Sequence, residues 1–303
     1  MKISAVRSDG VYSKIMCAPP DKKNDVYRYE LMTPFERKWA CYHVPMRAKT
    51  PGGYDVIMAS GMLGHIAPAK VDETQKHPIS LISDDTLWKE CELSIQRSLR
   101  CFTERGIALP VQEYLFTILL ANPESPYIMM NEGYCGDGGI PGYIFAWLTP
   151  NEYTLSRLPA AFAHETNHNV RFQFMQWRHD ITLGEMIISE GLAETFAALL
   201  YGEDKVGPWV TKTDLTTLNE SVKPVIHAGL QVQGLERLNA YLYGDAMAEL
   251  QNAPKAGLPY CAGYACGYHL VKHYLQKTGK SVVEATLLPA KEILDAAEDF
   301  WND

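Results

Sequence analysis

Residues 164 to 168 read His-Glu-Thr-Asn-His, the pattern H-E-x-x-H. On an α-helix, positions i and i+4 lie one above the other on the same face, so both imidazoles can point at one spot and share one ion. Glu165 falls beside that spot, close enough to touch a water on the metal without ligating it. Zn²⁺ suits two neutral imidazoles and a carboxylate, with the fourth position left to water. Coordination lowers the pKa of that water from ~15.7 to ~7, and Glu165 would take its proton and later hand it to a leaving group.

A third ligand separates a site from a coincidence of composition, and the segment Thr182 to Gly202 supplies one. It opens with the capping box Thr182-x-x-Glu185 and closes on a glycine where a helix C-terminus expects it, which predicts a helix of about eighteen residues. The inward stripe at i, i+3, i+4 spacing reads Ile187, Glu190, Glu194, Ala197 and Tyr201. Two carboxylates in an otherwise apolar stripe need a partner, because unpaired charge is costly there. Glu190 stands 22 residues after His168, room for one turn and an antiparallel return. It is the expected third ligand. One helical turn on, Glu194 is placed to accept the ring N–H of a ligating histidine.

The elements that must hold these residues follow from local signals. Ser156 is the expected cap of the H-E-x-x-H helix, with Pro159 tolerated in the first turn, where N–H groups have no helical partner anyway. Residues 84–104 form an amphipathic helix, with Trp88, Cys91, Ile95, Leu99 and Phe102 on one face and Gly106 beyond its end. The runs 111–122, 127–131 and 140–150 are short, rich in aromatic and branched residues, and bounded by Pro, Gly and Asn, so they read as strands. Between the last two, Asn131 to Gly139 carries four glycines in nine residues. That predicts a loop where a ligand or another backbone comes close. No G-K-[ST] follows, so a phosphate cradle is rejected.

Toward the N-terminus, residues 1–32 read as turns between short extended pieces, and Thr33-Pro34-x-Glu36 as a helix start. Residues 224–252 look like short helices broken at Gly234 and Gly244. Farther on, Gly263 and Gly267 lie one helical turn apart, a smooth patch on which another helix can pack. Tyr260, Tyr264 and Tyr268 share roughly that face. Hydrolysis at a metal needs a donor for the oxyanion, and Tyr264 is the candidate, with His269 in reserve. A second capping box, Ser281-x-x-Glu284, precedes a final helix expected from about Pro289 to Phe300.

Composition sets the outer limits. The chain has 303 residues, 47% of them apolar and 21% charged, with a formal net charge of −8. Nucleic acid and anionic membrane are thereby disfavoured as main partners. The opening MKISAVRSDGVYSKIM has no apolar h-region, and no run reaches the ~18 apolar residues of a spanning helix. Seven cysteines without C-x-x-C spacing fit reduced thiols better than a disulfide framework, and a cytoplasmic protein is expected. Cys261 and Cys266 read as small buried fillers.

With these residues laid out, the chain resembles the YjaZ-type family of predicted zinc-dependent proteases, a relative of the gluzincin metallopeptidases. The resemblance is carried by Gly138-Gly139-Ile140-Pro141-Gly142, by PNEYTLSRLPAAFAHETNHNVR, by ISEGLAETFAALLYGE with Pro208-Trp209-Val210, and by AGYACGYHLVKHYL and EATLLPAKEIL. It implies His164, His168 and Glu190 as zinc ligands, Glu165 as general base and Glu194 as the acid behind the ligands. Thr166-Asn167 departs from the bulkier residue that relatives often carry inside the motif. The expectation is an α+β, zincin-like protein binding one Zn²⁺ per chain and hydrolysing peptide or protein substrates. A lobe of residues 1–150 would carry a small mixed sheet, whose edge strand within 113–148 runs beside the substrate. A mainly helical lobe, residues 151–303, would carry the ligands, with the active site in the cleft between them. Two rivals remain. One is a zinc hydrolase of a non-peptide amide or ester. The other is a zinc-stabilised binding or chaperone-like protein without turnover, marked by a fourth protein ligand such as Cys135 or His269.

Overall fold

Residues 113–120 are too uniformly apolar for a strand with one wet face, and they lie inside a sheet. The computed structural model describes residues 1–178 and 180–302. It is an α+β fold with a mixed sheet of four strands, β1 (Lys2–Ala5), β2 (Glu113–Leu120), β3 (Tyr134–Asp137) and β4 (Tyr143–Leu148), in the order β1-β2-β4-β3. β2 pairs in parallel with β1 (Ile3 opposite Tyr114) and with β4 (Thr117 opposite Phe145). β3 runs antiparallel to β4, Cys135 opposite Trp147, and is an edge strand of the sheet. By contact density the chain divides into two compact units. One holds residues 1–100 and 109–165, the other 101–108 and 166–303.

Several expectations are corrected here. The H-E-x-x-H helix runs Glu152–Phe174, so Ser156 is not its cap. Asn151 is: its Oδ1 accepts the Thr154 N–H at 3.0 Å, while Thr154 Oγ1 accepts the Asn151 N–H at 3.1 Å. Pro159 therefore sits inside the helix rather than in its first turn. Residues 127–131 are not a strand. Pro126 opens a short helix, Pro126–Met130, because its fixed φ suits the first helical turn. Part of the expected glycine-rich loop is itself a strand, β3. Residues 1–32 fold as β1 followed by the helical segments Ser8–Cys17, Lys23–Val26 and Tyr27–Met32. The start expected at Thr33 is present as a 3₁₀ turn, Thr33–Phe35, with Pro34 in its first positions, and it leads into the helix Glu36–Cys41, but Thr33 itself is helical (φ −55°, ψ −40°) and not an extended cap. The tail breaks into Val282–Thr286, Ala290–Ala296 and a 3₁₀ turn over Glu298–Asn302.

Other readings hold. The helix Asp85–Thr103 buries Trp88, Cys91, Ile95, Leu99 and Phe102. Both capping boxes close reciprocally, at Thr182/Glu185 and at Ser281/Glu284. Gly234 and Gly244, at φ 91° and 82°, separate Leu235–Tyr243 from its neighbours. Cys261 and Cys266 are buried, and burial pushes each thiol up to about 12. Among the described residues no helix is long and apolar enough to cross a membrane.

The two expected glycine contacts are backbone against backbone. In the helix Ala262–Thr278, a methyl on Gly267 would stand 2.1 Å from the Ile187 carbonyl oxygen. In the helix Leu183–Tyr201, a methyl on Gly191 would stand 2.1 Å from the Gly267 carbonyl oxygen. A methyl on Gly263 would stand 2.8 Å from the Leu242 Cα and from the Tyr241 carbonyl oxygen.

The sheet covers an unusual histidine. His65 is 1% exposed, its Nδ1 3.3 Å from the Tyr27 hydroxyl and its ring 4.9 Å from that of Trp147. Burial lowers its pKa from 6.5 to about 3. The unfolded chain thus takes up a proton that the folded chain refuses between those values, so stability falls as pH falls through that window. At pH 5 the loss attributable to this one group is about 2 kcal/mol. Urea unfolding at pH 8 and pH 5 should show it, and His65→Asn should remove that part of the slope.

Candidate metal centre

The helix Glu152–Phe174 positions three of the four candidate residues by its own geometry. His164 and His168 are one turn apart, and Glu165 lies beside the first. The second helix, Leu183–Tyr201, brings Glu190. One donor atom from each of His164, His168 and Glu190 lies within 4.8 Å of the others, and His168 Nε2 is 3.3 Å from Glu190 Oε2. All are buried: His164 is 6% exposed, Glu165 7%, His168 7% and Glu190 9%. Among the described residues the cluster consists of these three, and neither Cys135 nor His269 belongs to it.

The donor set fits a divalent ion. Two imidazoles and a carboxylate are the usual three-residue set of an open zinc site. Ligands at ~2.0–2.1 Å around a tetrahedral ion stand ~3.3–3.4 Å apart, which matches the His168–Glu190 separation. Packing sets the reach of the second helix. Gly191, next to Glu190, lies on Gly267 with no side chain between.

Polar residues inside and beyond the motif tie the helix down. Thr166 and Asn167 are fully buried, and Asn167 Nδ2 donates to Thr286 Oγ1 at 2.8 Å. A hydrogen-bonded pair thus fills the space behind this turn of the helix. One turn on, Arg171 donates to Ser189 Oγ at 3.0 Å and to the carbonyls of Thr286 and Leu288 at 2.8 and 3.0 Å. Burial lowers this guanidinium to about 10, and its three acceptors link the H-E-x-x-H helix to Leu183–Tyr201 and to the turn after Val282–Thr286.

Glu194 is 3% exposed. Its Oε1 accepts the Gly207 N–H at 2.6 Å and its Oε2 the Trp209 indole N–H at 2.8 Å. Tyr264 donates its hydroxyl to Tyr243 at 3.2 Å and is half-buried. His269, the reserve donor, is half-buried on the same helix, with its ring edge-on to Tyr268.

The glycine-rich run supplies what the sequence reading did not assign. Gly138 N–H donates to Glu165 Oε2 at 2.7 Å. A methyl on Gly138 would lie 1.9 Å from the Glu165 carbonyl oxygen, and one on Gly136 would lie 2.4 Å from Oε1. The backbone that these glycines anticipated is that of Glu165. The signal was present in their density, but nothing in the sequence named the partner.

Comparison with known proteins agrees with the motif. A family model described as "Predicted Zn-dependent protease (DUF2268)" matches residues 87–295. The chain is similar to the uncharacterized protein YjfC of Bacillus subtilis (strain 168). The two are 37% identical over 284 residues, which spans 93% of this chain and 94% of the relative. It is also similar to the uncharacterized protein YjaZ of the same organism, 29% identical over 139 residues, 45% of this chain and 49% of that one. No solved structure matches the chain.

The Gly138 contact makes a sharp prediction. Because the atom in the way is backbone, Gly138→Ala should cost about 1–3 kcal/mol or more. Gly139→Ala meets nothing nearer than 3.4 Å and should change stability by less than about 1 kcal/mol. Urea denaturation of the two variants beside the parent checks the contrast.

Proposed function

Since the chain belongs to the family of predicted Zn-dependent proteases, we propose that it is a zinc metallopeptidase of zincin-like design, hydrolysing peptide bonds at His164, His168 and Glu190. The observation that carries this reading is the meeting of three buried donor atoms within 4.8 Å, next to a glutamate that does not join them. A bound Zn²⁺ would supply Lewis acidity and bring the pKa of water to ~7. Each protein residue then has a defined task.

His164, His168 and Glu190 would hold the ion and leave room beside it for water or substrate, which favours turnover over a closed structural site. Glu165 takes the proton of the attacking water and delivers it to the leaving amine. The Gly138 N–H keeps that carboxylate from rotating away between the two transfers. Glu194 is the acceptor for an imidazole N–H of a ligating histidine, with Gly207 and Trp209 fixing its orientation. Tyr264 donates to the oxyanion, exchanging its bond to Tyr243 for one to the substrate. β3, at the sheet edge and continuous with the Gly138 contact, is the strand beside which an extended peptide would lie. These roles are proposals that variants can test one at a time.

Elemental analysis of the purified protein should find one zinc per chain, and Glu190→Ala should lose it. Glu165→Gln should retain the metal while kcat on a panel of fluorogenic peptides falls by about 10²–10⁴. Esters and acyl-amino acids in the same panel should be poor substrates. A Glu165→Gln variant as fast as the parent overturns the mechanism, and cleavage of esters alone overturns the substrate class.

A further inference from the structure

Behind the contact between Glu165 and Gly138 stands a charge pair, its lysine fully buried and its aspartate partly so, that the reaction outlined above does not use. Lys38, in the helix Glu36–Cys41, has no exposed surface. Its ammonium meets Asp137 Oδ2 at 2.5 Å and lies 4.9 Å from the ring centres of both Tyr42 and Phe145. Asp137 is the last residue of β3. Its carboxylate also receives the Tyr42 hydroxyl, 3.2 Å from either oxygen, and the Gly139 N–H at 2.9 Å. Burial alone would raise the Asp137 pKa, but the Lys38 ammonium, the Gly139 N–H and the Tyr42 hydroxyl together outweigh it and the carboxyl lies below its usual value. Asp137 is therefore charged at neutral pH.

Such a pair is a poor device for stability. Taking the lysine wholly and the aspartate largely out of water costs several kcal/mol, and apolar residues of similar volume usually serve as well or better. Its position suggests a different use. Of the residues on either side of Asp137, Gly136 lies against the Glu165 carboxylate, and Gly138 lies against the Glu165 main chain while its N–H donates to the carboxylate. Side chains alternate along a strand, so the backbone that faces Glu165 at Gly136 presents the next side chain, that of Asp137, to the opposite side. There Lys38 and Tyr42 hold it. The Gly139 N–H bond to Asp137 closes the turn from within.

We propose that Lys38, Asp137 and Tyr42 form a latch that fixes the Gly136–Gly139 backbone where its Gly138 N–H orients Glu165. Asp137 is then a positioning residue for the base, acting through one peptide group, and Lys38 is its fixed counter-charge. The inference rests on the reading of Glu165 as general base, but the latch is testable without any substrate.

Selective ¹⁵N-glycine labelling reports the Gly138 amide directly, and its assignment follows from the signal lost in Gly138→Ala. The double variant Lys38→Met/Asp137→Leu removes both charges and keeps an apolar filling. Its thermal midpoint and zinc content should stay near those of the parent, while the Gly138 amide exchanges with solvent at least about tenfold faster. Tyr42→Phe keeps the ring over Lys38 and removes one bond to Asp137, so exchange should quicken about two- to threefold. On a fluorogenic peptide pool the double variant should lose about tenfold or more in kcat with KM nearly unchanged, since orientation of the base matters in the transition state and not in binding.

Gly138 exchange at the parent's rate in the double variant overturns the latch, whether or not peptides are cleaved. Should that variant fail to fold, Tyr42→Phe decides, and exchange at the parent's rate overturns the latch equally. Faster exchange in a protein whose parent cleaves no peptide supports the latch and counts against the peptidase reading alone.

Discussion

Ionisable groups held away from water set the terms for this structure. His164, Glu165, His168 and Glu190 are each less than a tenth exposed, and two of them are carboxylates. An isolated carboxylate in such surroundings would shed its charge or unfold its neighbourhood. Each is instead met at short range: Glu165 by a peptide N–H, Glu190 by an imidazole 3.3 Å away. In the proposed holoenzyme a divalent cation adds the remaining counter-charge. The same exclusion of water that makes these groups expensive to bury strengthens every electrostatic contact a reaction would use there.

Close approach is achieved by removing side chains. Gly136 and Gly138 bring a strand end onto Glu165, and Gly191 and Gly267 bring two helices together beside Glu190. Around these contacts three buried polar side chains are tied to defined partners. Asn167 finds Thr286, Arg171 finds Ser189 and two carbonyls, and Glu194 finds Gly207 and Trp209. The positions of the helix bearing the histidines and of the helix bearing Glu190 are therefore set by contacts outside the cluster itself.

What could be read from the chain alone was what depends on neighbours in sequence. The reciprocal bonds at Thr182 and Ser281 span three residues, so their signatures are complete in the letters. H-E-x-x-H and the stripe containing Glu190 are fixed by helical periodicity, and the structure brings the three donor residues together. The errors fall where a local signal had two outcomes. Pro159 suits a first turn, but it also stands inside a helix that Asn151 had already started. The aromatic run 127–131 has the composition of a strand, and Pro126 turned it into a helix. The glycine density of residues 131–139 foretold a close approach but could not name Glu165, which lies 27 positions from Gly138. Lys38 was invisible for a stronger reason. A lysine between Arg37 and Trp39 gives no hint of an aspartate 99 residues away, and only the folded sheet makes them neighbours.

The meeting of Gly191 with Gly267 bears on how the second helix can move. Where side chains interdigitate, a helix can shift by a fraction of an ångström as rotamers adjust. Two main chains in direct contact have no such compliance. Sliding Leu183–Tyr201 by one residue would push a side chain into the Gly267 peptide, so the helix has a single seat along its axis. Glu190 inherits that seat from the residue next to it, and its carboxylate arrives at a height along the helix that thermal motion cannot gradually detune.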